Sequence, residues 1–208
     1  MERLREVARR EKAPDDLLSK SDLDLLAALG LVRNGHLLRT GVLLAGTEAA
    51  IQEHFPGYVW THLRMFSDTN YSDRADGRDA LPIALDRLLD RVMADNPITT
   101  VPQGLFHFEI RTYPELALRE ALLNAFSHAD YRIAGPIMVK QFHTGLEISN
   151  PGGLPGGIMP ENILRHEPVS RNPRLMRELR RENPAILPPR RGRWARYQLN
   201  AERNDDAH

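Results

Sequence analysis

Apolar residues in the first part of the chain recur at helical intervals and are interrupted by short polar punctuation. Asp15 to Val32 carries Leu17, Leu18, Leu25, Leu26 and Leu29 at such intervals, which predicts helix until Asn34-Gly35 turns the chain. The charged segment Met1 to Arg10 predicts a further helical start, and Leu38 to His54 predicts another helix. Tyr58 to Phe66 alternates with period two and reads as a strand, whereas Ser67 to Gly77 is polar and reads as a loop. From Asp79 to Asp95 the positions Leu81, Leu85, Leu88 and Val92 return every three or four residues, so one helix face points inward. Leu105 to Arg111 alternates again as a strand.

The helix predicted over Thr112 to Tyr131 carries the most information. Thr112 and Glu115 have capping-box spacing, and Pro114 suits a first turn, where a missing N–H is harmless. Leu118, Leu122, Ala125 and Phe126 make a core stripe, and Leu116 with Leu123 add apolar surface on the other flank, so burial is expected on both sides. Against that background Glu120, Asn124 and His128 stand at i, i+4 and i+8 and line one face. Such a line is either a pocket wall or the wet side of an amphipathic helix, and spacing alone does not choose between them.

The segments C-terminal to this helix raise the value of the line. Ile137 to His143 reads as a strand, Thr144-Gly145 as a tight turn and Leu146 to Ser149 as a second strand; Asn150-Pro151-Gly152-Gly153 and Pro155-Gly156-Gly157 come next. Glycines here let backbone close over a flat or charged ligand, although either run alone is equally an ordinary turn. In Ser170-Arg171-Asn172-Pro173, Asn172 is a candidate cap, Pro173 opens a helix and Leu175 and Leu179 pack; a phosphate contact by Arg171 is the sharper reading. The order helix, strand, helix, strand, strand predicts an α+β fold in which helices cover one face of a mixed sheet.

Composition bounds the rest. A chain of 208 residues with 41% hydrophobic residues can bury a core, as one domain with an appendage or as two small ones. The absence of cysteine excludes a disulfide framework, a thiol nucleophile and a cysteine zinc site. Neither a P-loop, nor a dinucleotide fingerprint, nor H-E-x-x-H spacing occurs. No secretory or membrane-spanning run is present, so a cytoplasmic location without a membrane partner is expected. Net charge is zero, but arginines crowd the segment from Arg165 to Arg196, which reads as a solvated surface or as a contact for DNA.

The runs REALLNAFSHADY (119–131) and LEISNPGGLPGGI (146–158), with Ser170-Arg171-Asn172-Pro173, resemble the ATP-binding module of RecG-helicase-C-terminal-like proteins and of Schlafen AlbA-containing transcriptional regulators. That module is similar to the Bergerat-type, HATPase-like sandwich of gyrase, MutL and histidine kinases, and the likeness spans residues 76 to 175. It implies ATP with Mg2+ as the ligand. Glu120 would be the water-activating carboxylate, Asn124 the magnesium-binding amide, and His128 a further lining residue on the same face. Asn150 stands where these families place an adenine-reading Asp, Gly152 and Gly153 form the adjoining glycine pair, and Arg171 would meet phosphate. His128-Ala129-Asp130-Tyr131 departs from the usual His-Arg-Asp-Tyr by one missing cation.

The resemblance also implies a division of the chain: 1–75 as a connecting region that follows a missing Schlafen AlbA-type domain, 76–182 as the ATP-binding module, and 183–208 as a basic tail. The prolines between Asn183 and Pro189 break the pattern where such modules usually close over the nucleotide. Magnesium-dependent nucleotide binding with weak or no hydrolysis is therefore expected. The alternative is a non-catalytic DNA-binding regulatory protein that uses its arginine-rich end and keeps a degenerate pocket. Oligomeric state is left open.

Overall fold

The computed structural model describes residues 5, 6, 9, 15–103, 106–154 and 169–182. The tail expected over 183–208, the Pro155-Gly156-Gly157 turn and most of the Met1–Arg10 segment lie outside the described residues.

The predicted Asp15–Val32 helix is divided into α1 (Asp15–Leu18) and α2 (Asp22–Ala28), because the Ser21 side chain accepts from the Asp24 N–H and starts a second helix. Strands β1 (Val32–Arg33) and β2 (His36–Leu37) pair across Asn34-Gly35. Both turn residues have positive φ, 52° and 75°, as a two-residue hairpin requires. The next predicted helix is also two, α3 (Arg39–Ala45) and α4 (Glu48–His54), with Thr47 capping the second through the Ala50 N–H.

Strand β3 (Tyr58–Met65) forms as predicted, but the expected polar loop contains β4 (Tyr71–Gly77), antiparallel to β3. An edge strand needs few apolar residues, and this one is held by its ladder and by a 2.6 Å bond from Thr61 Oγ1 to Asp76. Gly77 is opposite Trp60, whose ring atoms lie as close as 2.4 Å to where a Cβ would stand; the indole N–H donates to Asp79 at 3.0 Å.

Helix α5 (Leu81–Ala94) buries the predicted Leu81, Leu85, Leu88 and Val92. After it, β5 (Ile98–Gln103) and β6 (Phe106–Arg111) form an antiparallel hairpin, of which only the second strand was predicted. Helix α6 runs from Glu115 to His128, without the expected capping box. Thr112 and Tyr113 are held elsewhere: Asn96 Oδ1 accepts from the Tyr113 N–H at 3.0 Å, Asn96 Nδ2 donates to the Tyr113 carbonyl at 2.7 Å, and the Thr112 N–H reaches Pro97 O. A single buried amide thus ties the entry of α6 to the exit of α5. Leu123 is buried as expected, but Leu116 is half exposed.

Strands β7 (Gly135–Gln141) and β8 (Leu146–Ser149) complete a four-stranded sheet in the order β4-β3-β7-β8, with β3 and β7 parallel and the other pairs antiparallel. The sheet therefore joins residues from both sides of position 76. Register places Trp60 beside Ile137 and His62 beside Val139 on the face that meets the helices, where Leu85, Leu88, Leu122 and Phe126 fill the core. Helix α7 (Pro173–Glu182) adds Leu175 and Leu179 to the same core. The fold is α+β, with helices on one face of a mixed sheet, as predicted.

Buried beneath α5 is a polar group that the fold must keep satisfied. His62 Nε2 lies 3.1 Å from Gln141 Oε1, and Gln141 Nε2 donates to the Val92 carbonyl at 3.2 Å. On the other side of the ring, Arg91 donates to His62 Nδ1 at 3.4 Å and pairs with Asp73. Donation from arginine requires Nδ1 to be unprotonated, so the proton belongs on Nε2. Burial is the main cause that pushes the His62 pKa below its ordinary 6.5; the Gln141 bond opposes it and the Arg91 charge assists it. Because the unfolded chain takes up that proton first, unfolding free energy should fall as pH drops below about 6.5. Urea denaturation across pH 8 to 5 measures this, and His62→Gln should flatten the slope; an unchanged slope would locate the titration elsewhere.

Candidate functional site

On α6, Glu120, Asn124 and His128 follow one another at one-turn intervals, and all three are partly buried. Asn124 Nδ2 donates to Glu120 Oε1 at 3.3 Å. The same oxygen receives Arg180 Nη2 from α7 at 2.7 Å. The carboxylate is thus held by a guanidinium, and its second oxygen, Oε2, is buried without a hydrogen-bond partner among the described residues. Burial lowers the His128 pKa, and the charges of Arg171 and Arg180 lower it further, which favours the neutral imidazole.

The end of α6 is joined to two distant stretches of chain. Asp130 is buried and accepts from Arg132 Nε at 2.9 Å, Arg132 Nη2 at 2.7 Å and Arg171 Nη1 at 2.7 Å. The bond from Arg132 is the largest influence holding its carboxyl well below the usual range, and the Arg171 charge adds to it. Arg171 Nη2 also donates to the Gly153 carbonyl at 2.6 Å, while the Asp130 N–H donates to Pro151 O at 2.8 Å. One carboxylate therefore brings the loop after β8 and the residues before α7 to the end of α6. Ala129 is fully buried, so the cations at this corner come from Arg132 and Arg171.

Asn172 departs from its expected role. It precedes α7, but its side chain donates to the Ser127 and Ala129 carbonyls, at 3.0 and 2.8 Å, and so satisfies the buried C-terminal end of α6. The two glycines are also unlike. Gly152 has φ of 103°, and a Cβ there would stand 2.9 Å from Asp130 Cβ and 3.4 Å from the Arg171 guanidinium carbon. At Gly153 a Cβ would meet open space, and the residue contributes its carbonyl. Asn150 Nδ2 bonds within its own turn, to Pro151 O at 3.2 Å.

Of the residues singled out in the sequence, Glu120, Asn124 and His128 form the α6 face, and Arg171 joins Gly152 and Gly153 to its end. Arg180, Asp130 and the Asn172 amide were not anticipated. For Arg180 a signal existed: with Leu175 and Leu179 inward, it stands at the margin of the buried stripe. Among the α7 arginines, Arg180 turns inward, Arg174 reaches the Gly30 carbonyl at 3.4 Å, and Arg177 is largely exposed. No helix among the described residues is long and apolar enough to cross a membrane.

Residues 135–192 match the family described as putative ATP-dependent DNA helicase recG C-terminal. The matched segment takes in Asn150, Gly152, Gly153, Arg171 and Arg180 and begins after the α6 face. The chain is also similar to the crystal structure of the DIP2311 protein from Corynebacterium diphtheriae, with a TM-score of 0.68 and 25% identity over 88% of this chain and 36% of that one. It thus spans about a third of that protein's length. No curated protein matches. The likeness drawn from the sequence thus has a family match behind it over residues 135–192.

The positive φ at Gly152 and the crowding around it give a direct test of the joint. Gly152→Ala should destabilise the protein by about 1–3 kcal/mol in chemical denaturation. Gly153→Ala, in open space, should stay within about 1 kcal/mol of wild type. Equal effects at the two positions would mean that the joint does not depend on close approach.

Proposed function

We propose that this unit binds ATP together with Mg2+ along the α6 face, with slow or no hydrolysis, and that it serves a protein involved in transcriptional regulation. The observation that carries the reading is a concentration of unmet hydrogen-bonding capacity where α6 meets α7. Glu120 Oε2, Arg180 Nη1, Arg171 Nε, Ser127 Oγ and Ser170 Oγ are all buried and have no hydrogen-bond partner among the described residues. Each such group costs about 1–3 kcal/mol when left unsatisfied, so their gathering in one region calls for an explanation, and a polar ligand supplies one.

The residues fit a magnesium nucleotide. The arginine N–H groups are donors suited to phosphate oxygens. Asn124 spends its nitrogen on Glu120, which leaves Oδ1 for a hard cation. Among the described residues no group of three or more His, Cys, Asp or Glu could hold a metal. A cation here would therefore rely on Asn124, phosphate oxygens and water, as magnesium commonly does. Bound magnesium would supply charge neutralisation for the phosphates. Neutral His128 can donate and accept at the same face, and Asn150 beside the glycine loop offers both polarities to a purine edge.

Glu120 would orient water, with one of its oxygens engaged by Arg180. Phosphoryl transfer rests on positioning and electrostatics, so a carboxylate held in this way supports slow turnover. The regulatory role rests on the family likeness, and the geometry bears on the ligand alone.

Calorimetric titration of ATP with and without magnesium tests the proposal. Asn124→Ala should weaken ATP binding by about tenfold or more in magnesium and by much less in its absence. Equal losses in both conditions would contradict the metal role. Glu120→Gln should leave ATP affinity within a few-fold of wild type while suppressing whatever turnover exists; a large affinity loss would assign Glu120 to binding instead.

A further inference from the structure

Arg180 does more than an inter-helix tie requires. Helix α7 is already docked through Leu175 and Leu179, at 2% and 0% exposure, and through Asn172 at its start. The ion pair with Glu120 uses only Nη2 of the guanidinium. Nη1 of the same group is buried and unpartnered among the described residues, as is Nε of Arg171. Both guanidinium charges act on the His128 ring, Arg171 from its ion pair with Asp130 just past α6 and Arg180 from its ion pair with Glu120 two turns earlier. Across these two ion-pair groups the guanidiniums of Arg132, Arg171 and Arg180 stand against the carboxylates of Asp130 and Glu120.

Two unmet cationic N–H groups whose guanidinium charges both reach one histidine are matched by an oxyanion with several acceptor oxygens. Neutral acceptors would satisfy the hydrogen bonds but leave the charge. A carboxylate would offer two oxygens in one plane, whereas phosphate offers three in different directions to donors from different elements. We infer that Arg180 is a phosphate-reading residue: Glu120 holds its Nη2, and Nη1 is presented with Arg171 Nε, beside His128, to the phosphate chain of a nucleoside di- or triphosphate. The inference rests on the nucleotide reading of this site and adds to it a residue that separates phosphorylated nucleotides from nucleosides.

The test is calorimetry on the full chain with tripolyphosphate, ATP and adenosine as separate probes, using wild type, Arg180→Gln, Arg180→Lys and Glu120→Gln. Arg180→Gln should weaken tripolyphosphate and ATP by about ten- to a hundredfold and leave adenosine unchanged. Arg180→Lys should recover part of that loss. Glu120→Gln removes the competing anion and should leave tripolyphosphate binding unchanged or tighter, which keeps the proposal testable if the Arg180 variants fold poorly.

Loss of adenosine binding in step with ATP would overturn the inference, because Arg180 would then act through the fold. Unaltered or tightened ATP and tripolyphosphate binding in Arg180→Gln would overturn it too, while leaving the nucleotide reading intact. Weakened tripolyphosphate binding in Glu120→Gln would also overturn it. Tripolyphosphate binding that depends on Arg180, with no advantage for ATP over tripolyphosphate, would uphold the phosphate site and remove the nucleotide reading. Absence of binding by all three probes would overturn both.

Discussion

The buried carboxylate of Asp130 is the constraint on which the site depends. It stands just past the end of α6 and accepts from Arg132 and Arg171, while its own N–H is bound to Pro151 O. A buried carboxylate is tolerated only when its charge is met and its oxygens are occupied. That requirement fixes where Arg171 must be. Arg171 in turn holds the Gly153 carbonyl, and Asn172, the next residue, covers the last carbonyls of α6. From there α7 leaves in the direction that lays Leu175 and Leu179 on the core and delivers Arg180 to Glu120. The glycine loop, α7 and the polar face of α6 are therefore consequences of one satisfied charge.

The same arrangement sets the chemical character of the face. Glu120 and Arg180 are both largely buried, so their attraction is little screened, and separating them would leave two uncompensated charges. Neutral His128, the Asn124 amide and the two arginines form a polar, positively biased surface, and among the described residues no group of three or more His, Cys, Asp or Glu makes a metal cage. Such a surface favours a ligand that brings its own negative charge.

Much of the fold was legible because apolar periodicity and burial coincide: Leu81, Leu85, Leu88 and Val92 on α5, and Leu118, Leu122 and Phe126 on α6, are buried where spacing placed them. Asn34-Gly35 was legible because few residues accept two successive positive φ values. Strand β4 was missed because an edge strand with a polar face carries little apolar alternation. The capping box at Thr112 failed because Asn96, 16 residues earlier, captures the Tyr113 backbone, and local spacing cannot register a competitor so far along the chain. Asn172 likewise looked like a cap and found better partners on α6. The line Glu120, Asn124, His128 was readable from helical period alone, but Arg180 reaches it from 60 residues away and is a product of tertiary packing.

Chemical-shift mapping on isotope-labelled protein during titration with ATP and magnesium tests the central claim most directly, because it reports location as well as binding. The account predicts saturable changes concentrated at Glu120, Asn124 and His128, at Asn150 to Gly153, and at Arg171 and Arg180, with the β5–β6 hairpin unaffected. Saturable changes confined to another surface, or no change at millimolar ATP, would contradict it.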